Sequence, residues 1–515
     1  MDNFSKSLRT AALIVSLLIG SLAGSAQDLN LRKLDAYIKA AMVDHDIPGL
    51  AIGIVKDGAV VYQKGYGVKS ELEGGAITTN TMFGIASLSK AFTAAAVGKL
   101  VDQGLVEWDD PVKKHLPNWK LYDDYVSDHF TVRDLLCHRS GYKTFDGDLL
   151  WYGTNYSRAE ILSRFQHLPP TYEFRYQYGY QNIMFIAAGE LIPAVTGKSW
   201  DEFVDQELFD NIGMRASNTS ITSYQENQDI ALPHVKGQNQ KGKQNALMNY
   251  DSFGGAAAIN SNVVDMTRWI RCWLNEGIAN KDTVLSMSTI RNASQLHTPL
   301  RTHQSEIEFG TNYKGYGLGW FLQDYKGKRV MHHGGGLPGY ISKIAMVPEM
   351  EMGFIILTNG ESNLPSSMMY YIIDMFMGDE PKDWCGNARE NYLKYYASLD
   401  AKREKKIAER KADSLAVIPM DSLLGTYTDK MYGTSSLTKV GKKKKQAYVL
   451  QLDPAKQMFV SKLEHWQGDS YRIQWKDDFL PWGIVTFKKE NGKLGYTIDL
   501  PNPDFHFFNL NFVKN

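Results

Sequence analysis

The sequence predicts an α+β fold followed by a small all-β domain. Three observations lead there. Helix-like and strand-like segments are segregated along the chain instead of alternating. An Asp-Gly hairpin near the N-terminus and four strand-like segments between 315 and 358 bracket a long helical middle. After Leu423 the periodicity changes to short alternating runs. Segregated elements favour one antiparallel sheet shared by the terminal segments, with the helical middle as a lobe of its own, over a parallel βαβ arrangement.

The elements follow in order. Leu31, Leu34, Ile38 and Met42 recur on one side of a short amphipathic helix over 29–41. Gly49 to Val55, Lys56-Asp57-Gly58, then Ala59 to Gln63 read as a β-hairpin closed by a tight turn. Phe92, Ala96 and Leu100 mark the buried face of a helix that opens at Ser87 and ends near Gly104. Thr131 to Asp134 carries the Thr-x-x-acid pattern of a capping box. Residues 150–230 are mainly helical and rich in aromatics, and Met266 to Asn275 is a further helix. Gly315 to Asp324, Arg329 to His332, Tyr340 to Val347 and Met352 to Thr358 read as strands, and Met368 to Met377 as a closing helix. Asn391 to Ser414 is highly charged and helix-prone, a linker or brace. The boundaries are a leader over 1–26, the α+β domain over 27–380, a charged helical linker over 381–419 and the small all-β domain over 420–515.

Composition narrows the function classes. With 515 residues, 43% apolar and 22% charged, the chain can bury more than one core. Its formal net charge is zero, so no global field points to nucleic acid. Lys6 and Arg9 precede an apolar run from Ala11 to Leu22 and small residues at Gly24-Ser25-Ala26, the pattern of a cleaved export signal. That run is too short for a comfortable membrane span. The expectation is an exported bacterial protein of the periplasm without a stable membrane anchor. Cys137, Cys272 and Cys385 are widely spaced and odd in number, which gives no disulfide framework and no zinc pattern. No metal or organic cofactor is expected.

The chemistry centres on Ser87 and Lys90, an S-x-x-K pair. A serine hydroxyl is a weak nucleophile until a base takes its proton. A lysine one helical turn away, held in a poorly solvated pocket, can be neutral and serve as that base. Ser140/Lys143 and Ser436/Lys439 share the spacing, but neither opens a helix. Tyr180-Gln181-Asn182 precedes an apolar helix over Ile183 to Leu191 and offers a phenol for proton relay and an amide for a polar group. His332-His333-Gly334-Gly335-Gly336 places three glycines where a backbone can approach a ligand closely.

Ser87–Lys90, Tyr180–Asn182 and His333–Gly335, in that order, resemble the S-x-x-K, Y-x-N and H-x-G motifs of the serine β-lactamase and penicillin-binding-protein-like superfamily, in its class C-like branch. Leu135 to Gly141 and Tyr316-Gly317-Leu318-Gly319-Trp320 add to the likeness, which spans roughly 29 to 378. The tail resembles the β domain appended to many such hydrolases. The resemblance implies a β-lactamase-like antiparallel sheet flanked by helices, and acyl transfer through an acyl-enzyme on Ser87. Lys90 and Tyr180 would move its proton. The N–H groups of Ser87 and Gly336 would form the oxyanion hole. Asn182, His333 and Gly335 would bind substrate, with Asn182 holding the acyl side. The expected partner is a small-molecule acyl substrate, an ester or a related acyl donor. The alternatives are transfer to an alcohol or amine, D-amino-acid peptidase or carboxypeptidase activity, β-lactam hydrolysis, and, from a different class, a non-catalytic binding or sensor module.

Overall fold

The computed structural model describes residues 30–515 apart from 226, 237–241, 412, 443–444, 478 and 502–504. The leader read over 1–26 lies outside the described residues. Among those described, no helix is long and apolar enough to cross a membrane.

The N-terminal hairpin forms as expected. Gly49–Lys56 pairs with Ala59–Ser70, and Asp57 and Gly58 take φ of 50° and 73° in the turn between them. Both left-handed residues match the turn that follows a strand's own twist. This hairpin joins a nine-stranded antiparallel sheet beside Met352–Thr358, the last strand of the domain. The order then runs through Tyr340–Val347, Lys328–Leu337, Phe321–Tyr325 and Lys314–Tyr316 to Thr298–Leu300. The stretch expected as one strand over Gly315 to Asp324 is two, because the chain reverses at Gly319, whose φ is 76°. The strand expected to stop at His332 continues to Leu337, so the three glycines lie inside a strand.

Two cores cover the two faces of this sheet. On one, the helix over 30–44 and the helix Leu364–Met377 bury Leu34, Ile38, Met368 and Ile372 against Ile52, Ile54, Phe354 and Ile356. On the other, Val263–Leu274 packs on the strands and leads into the helical lobe built on Ser89–Asp102 and Asn182–Thr196. Thr131 and Asp134 form the expected capping box at the start of Val132–Leu135.

The C-terminal domain is a second nine-stranded antiparallel sheet over 425–514 that curls into a nearly closed barrel. The charged segment is a single helix, Trp384–Ala408. The same hydrophobic core runs from the lobe into the barrel. Tyr152 donates to Asp477 at 2.7 Å, Tyr156 to the Tyr432 carbonyl at 2.5 Å, and His506 lies 2.6 Å from Asp146. Cys137, Cys272 and Cys385 are buried, unpaired thiols.

Candidate active site

Ser87 sits in a 3₁₀ turn, Ala86–Leu88, that runs directly into the helix Ser89–Asp102. The residue before it, Ala86, is fully buried with φ of 54°. A non-glycine residue in that region is strained by roughly 1–3 kcal/mol and persists where the surroundings enforce it. Here the surroundings are a buried strand. At Gly335 a Cβ would lie 2.2 Å from Ser342 Oγ, 2.4 Å from the Ile85 carbonyl oxygen and 3.0 Å from Ala86 Cβ. Glycine is what lets the strand close on the turn that carries Ser87.

Lys90 has no solvent exposure. Its Nζ lies 2.7 Å from Asn182 Oδ1, 2.9 Å from the Ala256 carbonyl oxygen and 3.1 Å from Ser87 Oγ. The first two are pure acceptors. A neutral amine has two hydrogens and one lone pair, so the hydrogens go to Asn182 and Ala256 and the lone pair faces the Ser87 hydroxyl. Burial drives the Lys90 pKa well below its ordinary value, although the charge of Asp148 works the other way. Tyr180 hydrogen-bonds Ser87 as well, and burial holds its phenol far above the ordinary range. Burial thus favours the neutral form of both the phenol and the amine.

Asn182 departs in part from its expected role. Its carbonyl is committed to Lys90 and one amide hydrogen to Asp148 at 2.7 Å, so it first positions the lysine and keeps one N–H for a ligand. Asp148, buried at the base of the site, went unnoticed in the sequence because it belongs to no motif; it follows Gly147, whose φ is 87°. His138 was visible as part of Leu135 to Gly141. Its Nδ1 accepts from the Gln181 N–H at 3.0 Å, and its ring lies 4.2 Å from that of Tyr180, so it braces the Tyr180–Asn182 segment.

The expected residues Ser87, Tyr180, Asn182, His333 and Gly336 line one cavity of about 910 Å³, together with Gly334. Gly335 does not; it faces Ile85 and Ala86. Its contribution is close approach, not ligand contact. His333 Nε2 is 2.9 Å from the Tyr316 hydroxyl and Nδ1 is 2.6 Å from the Gly334 carbonyl oxygen. Burial lowers its pKa to about 3, so it is a neutral imidazole. A lysine enters the cleft from the neighbouring strand. Lys343 pairs in register with Gly334, lines the cavity and donates to His332 Nδ1 at 2.8 Å. Burial brings its pKa down to about 7. No sequence motif singled it out, since its place depends on strand register. Ser140, one rival nucleophile, is buried, and Ser436, the other, bonds Asp453 at 2.9 Å in the barrel. Among the described residues no group of His, Cys, Asp and Glu could hold a metal ion.

Comparison with known proteins agrees with this architecture. The Beta-lactamase family profile matches residues 34–371, and that of a "Domain of unknown function (DUF3471)" matches 409–514. The chain is 26% identical over 405 residues to "Unguisins hydrolase ungD'" of Aspergillus campestris, covering 74% of this chain and 71% of that one. It is 24% identical over 345 residues to "Protein flp" of Staphylococcus aureus, covering 66% and 65%. Among solved structures, the octameric penicillin-binding protein homologue from Pyrococcus abyssi aligns with a TM-score of 0.58 at 20% identity, over 94% of this chain and 100% of that one. A D-stereospecific amidohydrolase from Streptomyces aligns with a TM-score of 0.52 at 22% identity, over 62% and 91%. The chain belongs to the Beta-lactamase family, as a β-lactamase-like serine hydrolase domain with a C-terminal domain of unknown function behind it.

Proposed function

We propose that the protein cleaves esters and related acyl donors through an acyl-enzyme on Ser87. The supporting observation is the hydrogen-bond pattern of Lys90, whose two acceptors leave its lone pair for the Ser87 proton. Lys90 takes that proton as Ser87 Oγ attacks the carbonyl carbon. The N–H groups of Ser87 and Gly336 hold the oxyanion, the largest single contribution in such chemistry. Tyr180, a neutral phenol bonded to Ser87, passes a proton to the departing alcohol and is reprotonated through Lys90. Water then attacks the acyl-Ser87 ester, with the same groups acting in reverse. Export, read from residues 1–26, is part of this proposal.

A second reading rests on Lys343. A lysine in the cleft suits acyl donors that carry a carboxylate, the D-peptidase or carboxypeptidase class. The test uses one enzyme preparation. A fluorophosphonate should label wild type on Ser87 and leave Ser87→Ala unlabelled, and kcat/KM should be higher for a short p-nitrophenyl ester than for nitrocefin. Labelling of Ser87→Ala on another serine refutes the nucleophile. Faster turnover of nitrocefin refutes the ester preference.

A further inference from the structure

The cavity that holds Ser87 does not end at the hydrolase domain. Its far wall is built by the helix Trp384–Ala408 and by the barrel. On the helix, Tyr392, Tyr396, Leu399, Arg403 and Lys406 recur at spacings of four, three, four and three, which sets them on one face. All five line the cavity and are half-buried, while most of their neighbours on the helix are exposed. This explains a helix whose overall composition looked like a solvated linker. Its cleft-facing stripe is aromatic and apolar at one end and cationic at the other, and both cations are already paired, Arg403 with Asp400 at 2.9 Å and Lys406 with Asp499 at 2.6 Å.

The barrel supplies Phe479, Trp482 and Phe505 to the same wall. They connect to the catalytic residues through a chain of rings. Phe253 lies 5.9 Å from Lys90 Nζ and stacks on Trp151 at 3.6 Å; Trp151 meets Phe505 at 6.0 Å, and Phe505 meets Phe479 at 6.3 Å. A second aromatic group at the site is Tyr180, stacked on Phe321 at 6.4 Å. Tyr180 delivers the proton to the leaving group, so the leaving group lies on its side. The path along Phe253 and Trp151 to Phe505 of the barrel is then left for the acyl portion.

We propose that the helix Trp384–Ala408 and the barrel form a distal acyl subsite, which makes this enzyme selective for donors with an extended aromatic or apolar acyl group. The assignment rests on the hydrolase reading above and names the substrate class for it. It also gives the C-terminal domain a function, that of a specificity wall. Cavities of several hundred Å³ or more enclose ligands far larger than acetate, and a wall whose rings include Tyr392, Tyr396, Phe479, Trp482 and Phe505 favours aromatic and apolar matter.

The experiment compares p-nitrophenyl acetate with p-nitrophenyl 4-phenylbutanoate, and, as a leaving-group series, 4-phenylbutyl acetate with ethyl acetate, using the full chain. Wild type should favour the phenylbutanoyl donor over acetate by about tenfold to a hundredfold in kcat/KM, the scale of burying one aromatic group. Leu399→Trp, which fills the cleft from the helix, and Phe479→Ala, which removes a barrel ring, should each cut that preference at least about fivefold. Acetate turnover should change less than about twofold, which also shows that both variants fold. Equal use of both acyl donors by wild type, or an unchanged preference in both variants, overturns the subsite. A preference confined to the alcohol series overturns its assignment to the acyl side. Failure of the wild-type chain to turn over acetate or to be labelled at Ser87 strikes instead at the hydrolase reading, and the subsite falls with it.

Discussion

Adding a single methyl group at Gly335 should disable the enzyme without touching a catalytic side chain. A Cβ there would sit 2.4 Å from the Ile85 carbonyl oxygen and 2.2 Å from Ser342 Oγ, where ordinary contacts begin at 3.4 Å. Ser342 cannot simply swing away, because its hydroxyl donates to the same Ile85 carbonyl at 2.8 Å. Relieving the clash with Ile85 requires about 1 Å of separation between the strand Lys328–Leu337 and the turn of Ser87. Those two segments carry the proposed oxyanion donors, Gly336 and Ser87. A misplacement of about 1 Å costs on the order of a hundredfold, and outright loss of one donor about a hundredfold to a thousandfold, or roughly 3–4 kcal/mol. Gly335→Ala should therefore lower kcat/KM for p-nitrophenyl acetate by about two to three orders of magnitude. Gly334→Ala is the control, since a Cβ at Gly334 meets nothing nearer than the Ser342 carbonyl oxygen at 3.8 Å; it should stay within about fivefold of wild type. Thermal unfolding of both variants checks that the fold survives. If Gly335→Ala keeps wild-type activity, or Gly334→Ala loses as much, the close approach of strand and turn is not what positions the site.

Other expectations concern charge and proton transfer. As the base, Lys90 must be neutral, and burial lowers its pKa, so kcat/KM should rise as pH climbs through that lowered value; in Lys90→Met this limb should disappear along with at least about a hundredfold of the rate. Tyr180→Phe should lose a similar factor on alkyl esters and less on p-nitrophenyl esters, whose leaving group needs little protonation, and the double variant should lose less than the product of the two. Lys343 loses its charge as pH rises through about 7, so any preference for carboxylate-bearing donors should weaken between pH 6 and 8 and be absent in Lys343→Met, as read from the ratio of kcat/KM values. Asp134 is fully buried between Arg139 and Arg175, each at 2.6 Å. Burial alone would raise its pKa, but Arg175, Arg139 and Thr131 outweigh this and hold it below the ordinary range. A depressed carboxylate contributes stability above its unfolded value of about 3.9, and that contribution is lost as pH falls through the folded value. Asp134→Asn should thus be destabilised by about 1.5–3 kcal/mol at pH 7, because two partly exposed arginines lose their charged partner, and the gap from wild type should narrow below pH 4 in urea titrations.

Much of the fold could be read locally, and the exceptions have physical causes. The Asp57-Gly58 turn and the Thr131–Asp134 capping box are set by neighbours within three residues, and both appear as expected. The three glycines after His333 read as a break because glycine disfavours strands, yet the ladder with Tyr340–Val347 pairs all three and overrides that tendency. At the site, Ser87, Lys90 and Tyr180 were legible because their chemistry demands particular residue types at close spacing. Asp148 and Lys343 were not, since each is brought in by the fold, one through a turn at Gly147 and one through strand register. The face of Trp384–Ala408 toward the cleft was hidden for a related reason. A stripe that lines a cavity stays partly polar, and so resembles a solvated one.

The contacts of the barrel with residues 146–156 bear on how such enzymes can be recombined. Asp146 holds His506, Tyr152 holds Asp477 and Tyr156 holds Tyr432, and between them lies Asp148, which orients Asn182 and through it Lys90. A chimera that exchanges residues 409–515 alone would seat a foreign barrel on a loop fitted to another, and the misfit would reach Lys90 through only two hydrogen bonds. The unit that can be grafted without that penalty is discontinuous, comprising the loop over 145–156 together with the tail. Donor and recipient of a specificity transplant should therefore be joined at both places.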